Sequence, residues 1–304
     1  MKNHRQRLSV SAASHFVLLL LGVLAQSDAA EPLKKMRIAI PSIVIDFAPL
    51  WIAREKGFFR DERVEAEITY IQGNIRGVQS LLAGDVQVGI AGSAGPISAR
   101  AAGEDTIIVA VPMNRLDYTF VARQPVKSPS DLNSKKIGIG SVGGSAERLA
   151  ALRSGSVDAA NIGGATFIGG GAGLHKVIDL LELGVEFPFT AIFTTRRYAQ
   201  ANREAVLAMI RGYMRGVRFF QQNKEESITI TARNLRTTNR ELLERQWQYV
   251  KDHVYERVPL PTEKGFKLIF DLMAPRNPKI AGLRMEDVFD ASFVRELADK
   301  GFFK

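Results

Sequence analysis

Val78-Gln-Ser-Leu-Leu-Ala-Gly-Asp-Val-Gln-Val-Gly-Ile-Ala-Gly92 returns without gaps 71 residues later, as Leu149-Ala-Ala-Leu-Arg-Ser-Gly-Ser-Val-Asp-Ala-Ala-Asn-Ile-Gly163. Leu81 aligns with Leu152, Gly84 with Gly155, Val86 with Val157 and Gly92 with Gly163. Each copy reads as a helix end, a glycine just past it, a short strand and a loop of small residues. Glycine suits that junction because helices commonly close on a left-handed residue, which glycine adopts without steric cost. Any helix–strand unit can look alike, so the repeat gains weight from its surroundings. With them it predicts two similar α/β lobes facing one another.

The surroundings of the first copy alternate strand and helix. Residues 37–41, 64–71, 86–91 and 106–111 read as strands, and 48–58, 75–83 and 94–102 as helices. Such alternation predicts a parallel sheet with helices on both faces. Ligands of these sheets sit outside the carboxyl ends of the strands, where the strand order switches. The loops there are residues 42–47, 72–76 and 92–96. A second segment opens at residues 135–140 (KKIGIG), again a basic start, alternating isoleucines and a serine, Ser141. Ser42 stands 42 positions before Gly84, whereas Ser141 stands only 14 before Gly155. The second lobe is therefore expected to lack about one helix and one strand.

Beyond Arg196 the pattern is helical. Val206, Met209, Ile210, Tyr213, Met214, Val217 and Phe220 recur at helical spacing, which predicts a packing stripe. Asn239 and Thr262 are placed as N-caps of helices over 241–254 and from after 262 through 273, and a last helix is expected over 291–300.

The first residues read as an export signal. Lys2, Arg5 and Arg7 precede the apolar run 16–25 (FVLLLLGVLA), and Ser27-Asp28-Ala29 offers a cleavage site. The ten residues of that run are too few to span a bilayer as a helix, which takes about 20. The chain contains no cysteine, which excludes disulfides, thiolate metal sites, cysteine nucleophiles and a lipidated cysteine after the signal. The expected location is the periplasm, free of a lipid anchor. Net charge is +9, or +7 once Lys2, Arg5, Arg7 and Asp28 leave with the signal. The basic residues are dispersed among acids, without an arginine-rich or aromatic-interleaved patch, so nucleic acid is not an expected partner.

Catalytic patterns are missing. Residues 138–143 fit G-x-G-x-x-G after a strand, yet Asp158 falls at the start of the next strand, whereas the dinucleotide fingerprint needs an acid at its end. A loop whose backbone N–H groups, with Ser141 and Ser145, meet a small ligand at a helix N-terminus is the better reading. After the signal only His175 and His253 remain, without ligand-like spacing, so no metal site is expected. The acid pairs Asp61/Glu62 and Glu225/Glu226 read as solvated. The six glycines between residues 163 and 173 read as a mobile loop.

Ala48-Pro-Leu-Trp-Ile-Ala-Arg-Glu-Lys-Gly-Phe-Phe59, Leu82-Ala-Gly-Asp-Val-Gln-Val-Gly89, Ser128-Pro-Ser-Asp-Leu132 and the segments 135–140 and 149–160 together carry a resemblance. From about residue 37 to 304 the chain resembles the solute-binding proteins of nitrate/sulfonate/taurine-type ABC importers, the SsuA/THI5-like or NMT1 group. The resemblance implies an α/β type II periplasmic binding protein fold. Lobe 1 would be residues 36–118 with the helical part 196–304 packed on it, and lobe 2 would be 119–195, shortened. Residues 118–123 and 189–195 would be the two hinge strands.

It further implies a ligand site between the lobes. Lobe 1 would contribute Ser42, Asp46, Phe47, Gln72, Gly73, Asn74, Ser93 and Ala94. Lobe 2 would contribute Ser141, Gly144 and Ser145, and the returning strand Thr190. Small residues and free N–H groups there suit an oxyanion. The implied partners are a small anionic solute (sulfonate, nitrate, taurine-like or pyrimidine-type) and an ABC permease of the inner membrane, with the protein a monomer needing no cofactor. Relative to the family, the stretch after Ser141 is short and the segment after residue 162 is rich in glycine. Two other readings stay open. One is an exported sensor that keeps the fold without transporting. The other is a pyrimidine-synthesising enzyme of the THI5 type, against which the missing cysteines and the export signal speak.

Overall fold

The computed structural model describes residues 32–139, 144–168, 171 and 173–304. The expected export signal and Ser141 lie outside the described residues, as do Gly140 and Gly143 of the glycine pattern. Among the described residues nine strands run in chain order: β1 Lys34–Ile40, β2 Val64–Tyr70, β3 Val88–Gly92, β4 Ile107–Arg115, β5 Tyr118–Arg123, β6 Ile137–Gly138, β7 Ala159–Gly163, β8 Leu174–Asp179 and β9 Glu186–Thr194. Helices α1 Ala48–Glu55, α2 Phe58–Asp61, α3 Asn74–Ala83 and α4 Ala94–Ala101 accompany the first strands, and α5 Ser145–Arg153 and α6 Gly164–Phe167 the middle ones. The C-terminal part holds α7 Arg196–Ala201, α8 Arg203–Gln222, α9 Lys224–Leu235, α10 Arg240–His253, α11 Glu263–Met273, α12 Met285–Val288 and α13 Ser292–Asp299.

The repeated phrase is one structural unit used twice. Gly84 and Gly155 both adopt positive φ, 84° and 79°. Gly84 N–H donates to Leu81 O (3.0 Å) and Asp85 N–H to Ser80 O (2.9 Å); Gly155 donates to Leu152 O (3.2 Å) and Ser156 to Ala151 O (2.9 Å). Both helices thus end on the same pair of backwards hydrogen bonds, closing carbonyls that a helix end leaves open. The strands that follow keep the 71-residue offset of the sequence, from Val88–Gly92 to Ala159–Gly163.

Two sheets result. The first has the order β2-β1-β3-β9-β4 and the second β6-β7-β5-β8. In the first, β2, β1 and β3 are parallel, but β9 runs antiparallel between β3 and β4. In the second, β6 and β7 are parallel and β5 runs antiparallel between β7 and β8. The orders superpose, with β1, β3, β9 and β4 corresponding to β6, β7, β5 and β8. Among the described residues the second sheet has no counterpart of β2 nor of α1 and α2. The expected parallel sheet is corrected to a mixed one, because β9 in the first sheet and β5 in the second each enter along a crossover from the other lobe. The strand expected over 135–140 is also shorter, at Ile137–Gly138.

Each sheet has its own apolar core. In the first lobe Met36, Ile38, Ile90 and Ile192 pack with Met209, Ile210, Tyr213 and Phe220 of α8. All seven residues of the expected α8 stripe are buried. The second lobe's core is small, built around Val121, Leu149, Leu152, Val157 and Ile162. Asn239 and Thr262 cap α10 and α11 as expected, accepting from Leu242 and Gly265 N–H at 3.0 Å each. Glu62 differs from the solvated reading, being part-buried and paired with Arg211 of α8 at 2.6 Å, while the exposed Asp61 pairs with Arg215 at 2.7 Å.

The crossing of α8 over α1 depends on Gly216, where a Cβ would strike the Pro49 carbonyl oxygen and come within 3.0 Å of Ala53 Cβ. Gly216→Ala is expected to lower stability by about 1–3 kcal/mol through overpacking. Gly77→Ala, in α3 with nothing within 4 Å of the added carbon, is expected to raise it by about 0.5–1 kcal/mol. Urea denaturation midpoints of the two variants check both signs.

Candidate functional site

The carboxyl ends of the strands from both sheets meet at one place. Residues 42–47 follow β1, and Gly144 opens α5 beyond β6. A Cβ on Gly144 would lie 3.0 Å from Ser42 Cβ and 2.8 Å from Glu147 Oε2. One on Gly163 would lie 3.3 Å from Ser145 Oγ and 3.7 Å from Asp46 Oδ2. The glycines let a first-lobe loop and the second-lobe strand end approach this closely. Across the same seam Tyr70 Oη donates to Glu147 Oε1 at 3.5 Å.

The repeat's closing glycines lie beside the crossovers. Gly92 pairs with Thr190 of β9, and Gly163 with Tyr118 of β5. The Tyr118 and Phe189 rings meet edge to face at 4.8 Å, a geometry that aligns ring edge with ring face electrostatically. Asp117, 2% exposed, sits between β4 and β5. Its Oδ1 accepts from Tyr249 Oη of α10 at 2.6 Å, and its carboxylate also accepts from the Gly164 N–H. Arg148 is buried; its Nε donates to Asn161 O at 2.7 Å and its NH2 group to Ser145 Oγ at 3.3 Å. Its guanidinium stands 5.7 Å from the centre of the Tyr118 ring.

The expected residues distribute unevenly. Ser42, Asp46, Gly144 and Ser145 come together at the seam. Asn74 reaches it through Gly92, whose Cβ would lie 2.9 Å from Asn74 Nδ2. Gly73 begins α3 at φ 84°, Gln72 and Ala94 are exposed, and Thr190 is buried between Gly92 and Met113. Phe47 packs into the first-lobe core, and buried Ser93 donates its Oγ to Pro188 O. Gly163 and Gly164 belong to β7 and α6 and not to a mobile loop. Asp117, Glu147, Arg148, Tyr249 and Tyr255 escaped the sequence reading. Each looks like an ordinary turn or helix-face residue, and only the fold assembles them.

Burial governs the electrostatics. The Asp46 carboxyl is pushed up from 3.8 to about 8, first by burial and then by the negative charge of Asp117. Asp117 is raised to about 6 by burial, with the hydrogen bonds from Tyr249 and Gly164 pulling the other way. Burial also raises the hydroxyls of Tyr118, Tyr213, Tyr249 and Tyr255. Tyr255 Oη donates to the Asp46 carbonyl. Among the described residues no three His, Asp or Glu side chains converge to hold a metal ion, and no helix is long and apolar enough to cross a membrane. A surface crevice of about 700 Å³ lies elsewhere, among charged side chains of α7 and α11–α13 such as Arg196, Glu263 and Arg295.

Residues 44–162 match the family model described as NMT1/THI5 like. YtlA of Bacillus subtilis (strain 168) is 24% identical over 294 residues, covering 84% of this chain and 87% of its own. A solved structure from Bordetella bronchiseptica RB50 superposes with a TM-score of 0.76 at 19% identity, covering 88% of this chain and 98% of its own. The alkanesulfonate-binding protein SsuA from Xanthomonas axonopodis pv. citri, bound to MOPS, gives 0.66 at 18% identity, with coverage of 81% and 94%.

A buried carboxyl that is protonated when folded and ionised when unfolded makes the folded state bind the extra proton. Asp46 does so between its ordinary 3.8 and about 8, and Asp117 up to about 6. Stability contributed by these groups is present at the acid end of that window and lost as pH rises through it. The melting temperature of Asp46→Asn is therefore expected to fall less than wild type between pH 4 and 8. A wild-type curve that Asp46→Asn leaves unaltered would contradict this.

The chain is NMT1/THI5-like over residues 44–162 and has the two-lobed periplasmic binding protein fold.

Proposed function

We propose that this protein is the solute-binding component of an ABC-type importer, holding a small molecule between its lobes and presenting it to a membrane permease. One observation carries the reading. Loops from both lobes, Ser42 and Asp46 on one side and Gly144, Ser145 and Gly163 on the other, converge beside the two crossovers. The similar SsuA is an alkanesulfonate-binding protein solved with a bound organic molecule. Residues 119–195 would swing against 36–118 and 196–304, and closure would remove the solute from water and strengthen each polar contact to it. No bond is made or broken. The export signal over residues 1–29 would deliver a monomer to the periplasm. A THI5-type enzyme is disfavoured, since a cysteine-rich motif has no place in a chain without cysteine.

Native mass spectrometry of the full chain, purified gently from the periplasm, is expected to show one retained small molecule per protein. Gly163→Leu, which fills the space between Ser145 and Asp46, is expected to retain its circular dichroism spectrum and lose the molecule. A wild-type protein that retains nothing and gains no thermal stability from any candidate solute would contradict the proposal.

A further inference from the structure

The polar groups at the seam are mismatched in a consistent direction. Asp46 Oδ1 and Glu147 Oε2 are buried and have no hydrogen-bond partner. One comes from the first lobe's β1 loop, the other from the second lobe's α5, and both border the surface of Gly144, Ser145 and Gly163. Unmet acceptors of this kind call for donors, and charged ones for positive charge.

Among the described residues, several donors that could hold an oxyanion are occupied. Gly163 N–H donates to Ser145 Oγ at 2.9 Å, and Ser93 Oγ is bound to Pro188 O. Arg148 is engaged by its own lobe, on Asn161 O and Ser145 Oγ. The N-terminus of α5, where an anion would profit from the helix dipole, already carries the Glu147 carboxylate in its first turn. Asp117 adds a further buried negative charge behind Asp46. Beside them stands the Phe189 ring, whose face attracts cations, while the Tyr118 ring already carries the Arg148 guanidinium.

We infer that the solute is an organic cation bearing N–H donors, a protonated amine in the simplest case, received by Asp46 from one lobe and Glu147 from the other. This deepens the receptor reading and rests on it, and it reverses the anionic preference that the small-residue loops suggest. The bulk charge of the chain does not oppose it, because the basic side chains, Arg148 apart, lie dispersed over the surface while the acids stand at the seam. Asp46 is confronted by Asp117 from the crossover, by Tyr213 of α8, Tyr249 of α10 and Tyr255 after it, and by Tyr118 of β5. A cation arriving there displaces the proton that burial keeps on the carboxyl, so binding at neutral pH releases a proton.

The test uses three two-carbon probes of different charge on the full chain, unfolded and refolded to strip its solute: ethanolamine (cation), taurine (zwitterion) and isethionate (anion). Titration calorimetry is expected to show ethanolamine binding at least tenfold more tightly than isethionate. In phosphate and Tris buffers, the heats are expected to differ as proton release requires. Asp46→Asn is expected to erase the tenfold preference, and Glu147→Gln, at an independent position, to reduce it. Isethionate binding more tightly than ethanolamine, in wild type and Asp46→Asn alike, overturns the charge assignment and leaves the receptor reading intact. Binding of none of the three, with nothing retained in the native mass spectrum, overturns both.

Discussion

The arrangement of the lobes depends on one buried carboxylate. Asp117 stands where the chain first passes from the first sheet to the second, and it accepts hydrogen bonds from Tyr249 in the C-terminal helices and from the Gly164 N–H in the second lobe. Three separate parts of the molecule are thus tied to a single acceptor with little access to water. Hydrogen bonds to a charged group contribute about 1.5–3 kcal/mol each, and the ionised form would be costly to bury without them. Gly164 has no substitute here, since a Cβ would collide with the Tyr249 hydroxyl and come within 2.5 Å of Asp117 Oδ1.

Around that tie the two lobes are unequal versions of one plan. The matched helix ends at Gly84 and Gly155, and the matched strands after them, bring Gly92 and Gly163 to equivalent positions against the crossover strands. The difference lies outside this shared unit. The first sheet carries β2 at its edge and a broad core shared with α8, whereas the second ends at a two-residue strand and encloses few large side chains. A lobe with so small a core draws less of its stability from burial. Its orientation therefore leans on the Asp117 hydrogen bonds and the Tyr118–Phe189 contact.

Much of this plan can be read from local pattern. The helix-ending glycines, the α8 stripe and the Asn239 and Thr262 caps follow from rules that act over a few residues. Strand direction escaped, because β9 enters the first sheet only after the chain has visited the second lobe, and no local signal records that detour. The site was read in part. Ser42, Gly144 and Ser145 stand out as small residues at strand ends, but the charges that define its chemistry do not. Glu147 and Arg148 have the pattern of a helix surface, and Tyr249 lies 132 positions from Asp117. Phe47 and Ser93 sit in loops of the right position, yet their side chains turn to the core and to Pro188.

A chain without cysteine is convenient for measuring the movement directly. Glu67, exposed on β2, and Asn133, exposed ahead of β6, place one label on each lobe when both are changed to cysteine. Distances between spin labels at these sites would be compared in protein carrying its solute and in protein stripped by unfolding and refolding. A hinged receptor predicts a short, narrow distance with solute and a longer, broader one without it. The same distribution in both states, with the solute demonstrably bound in one, would contradict it.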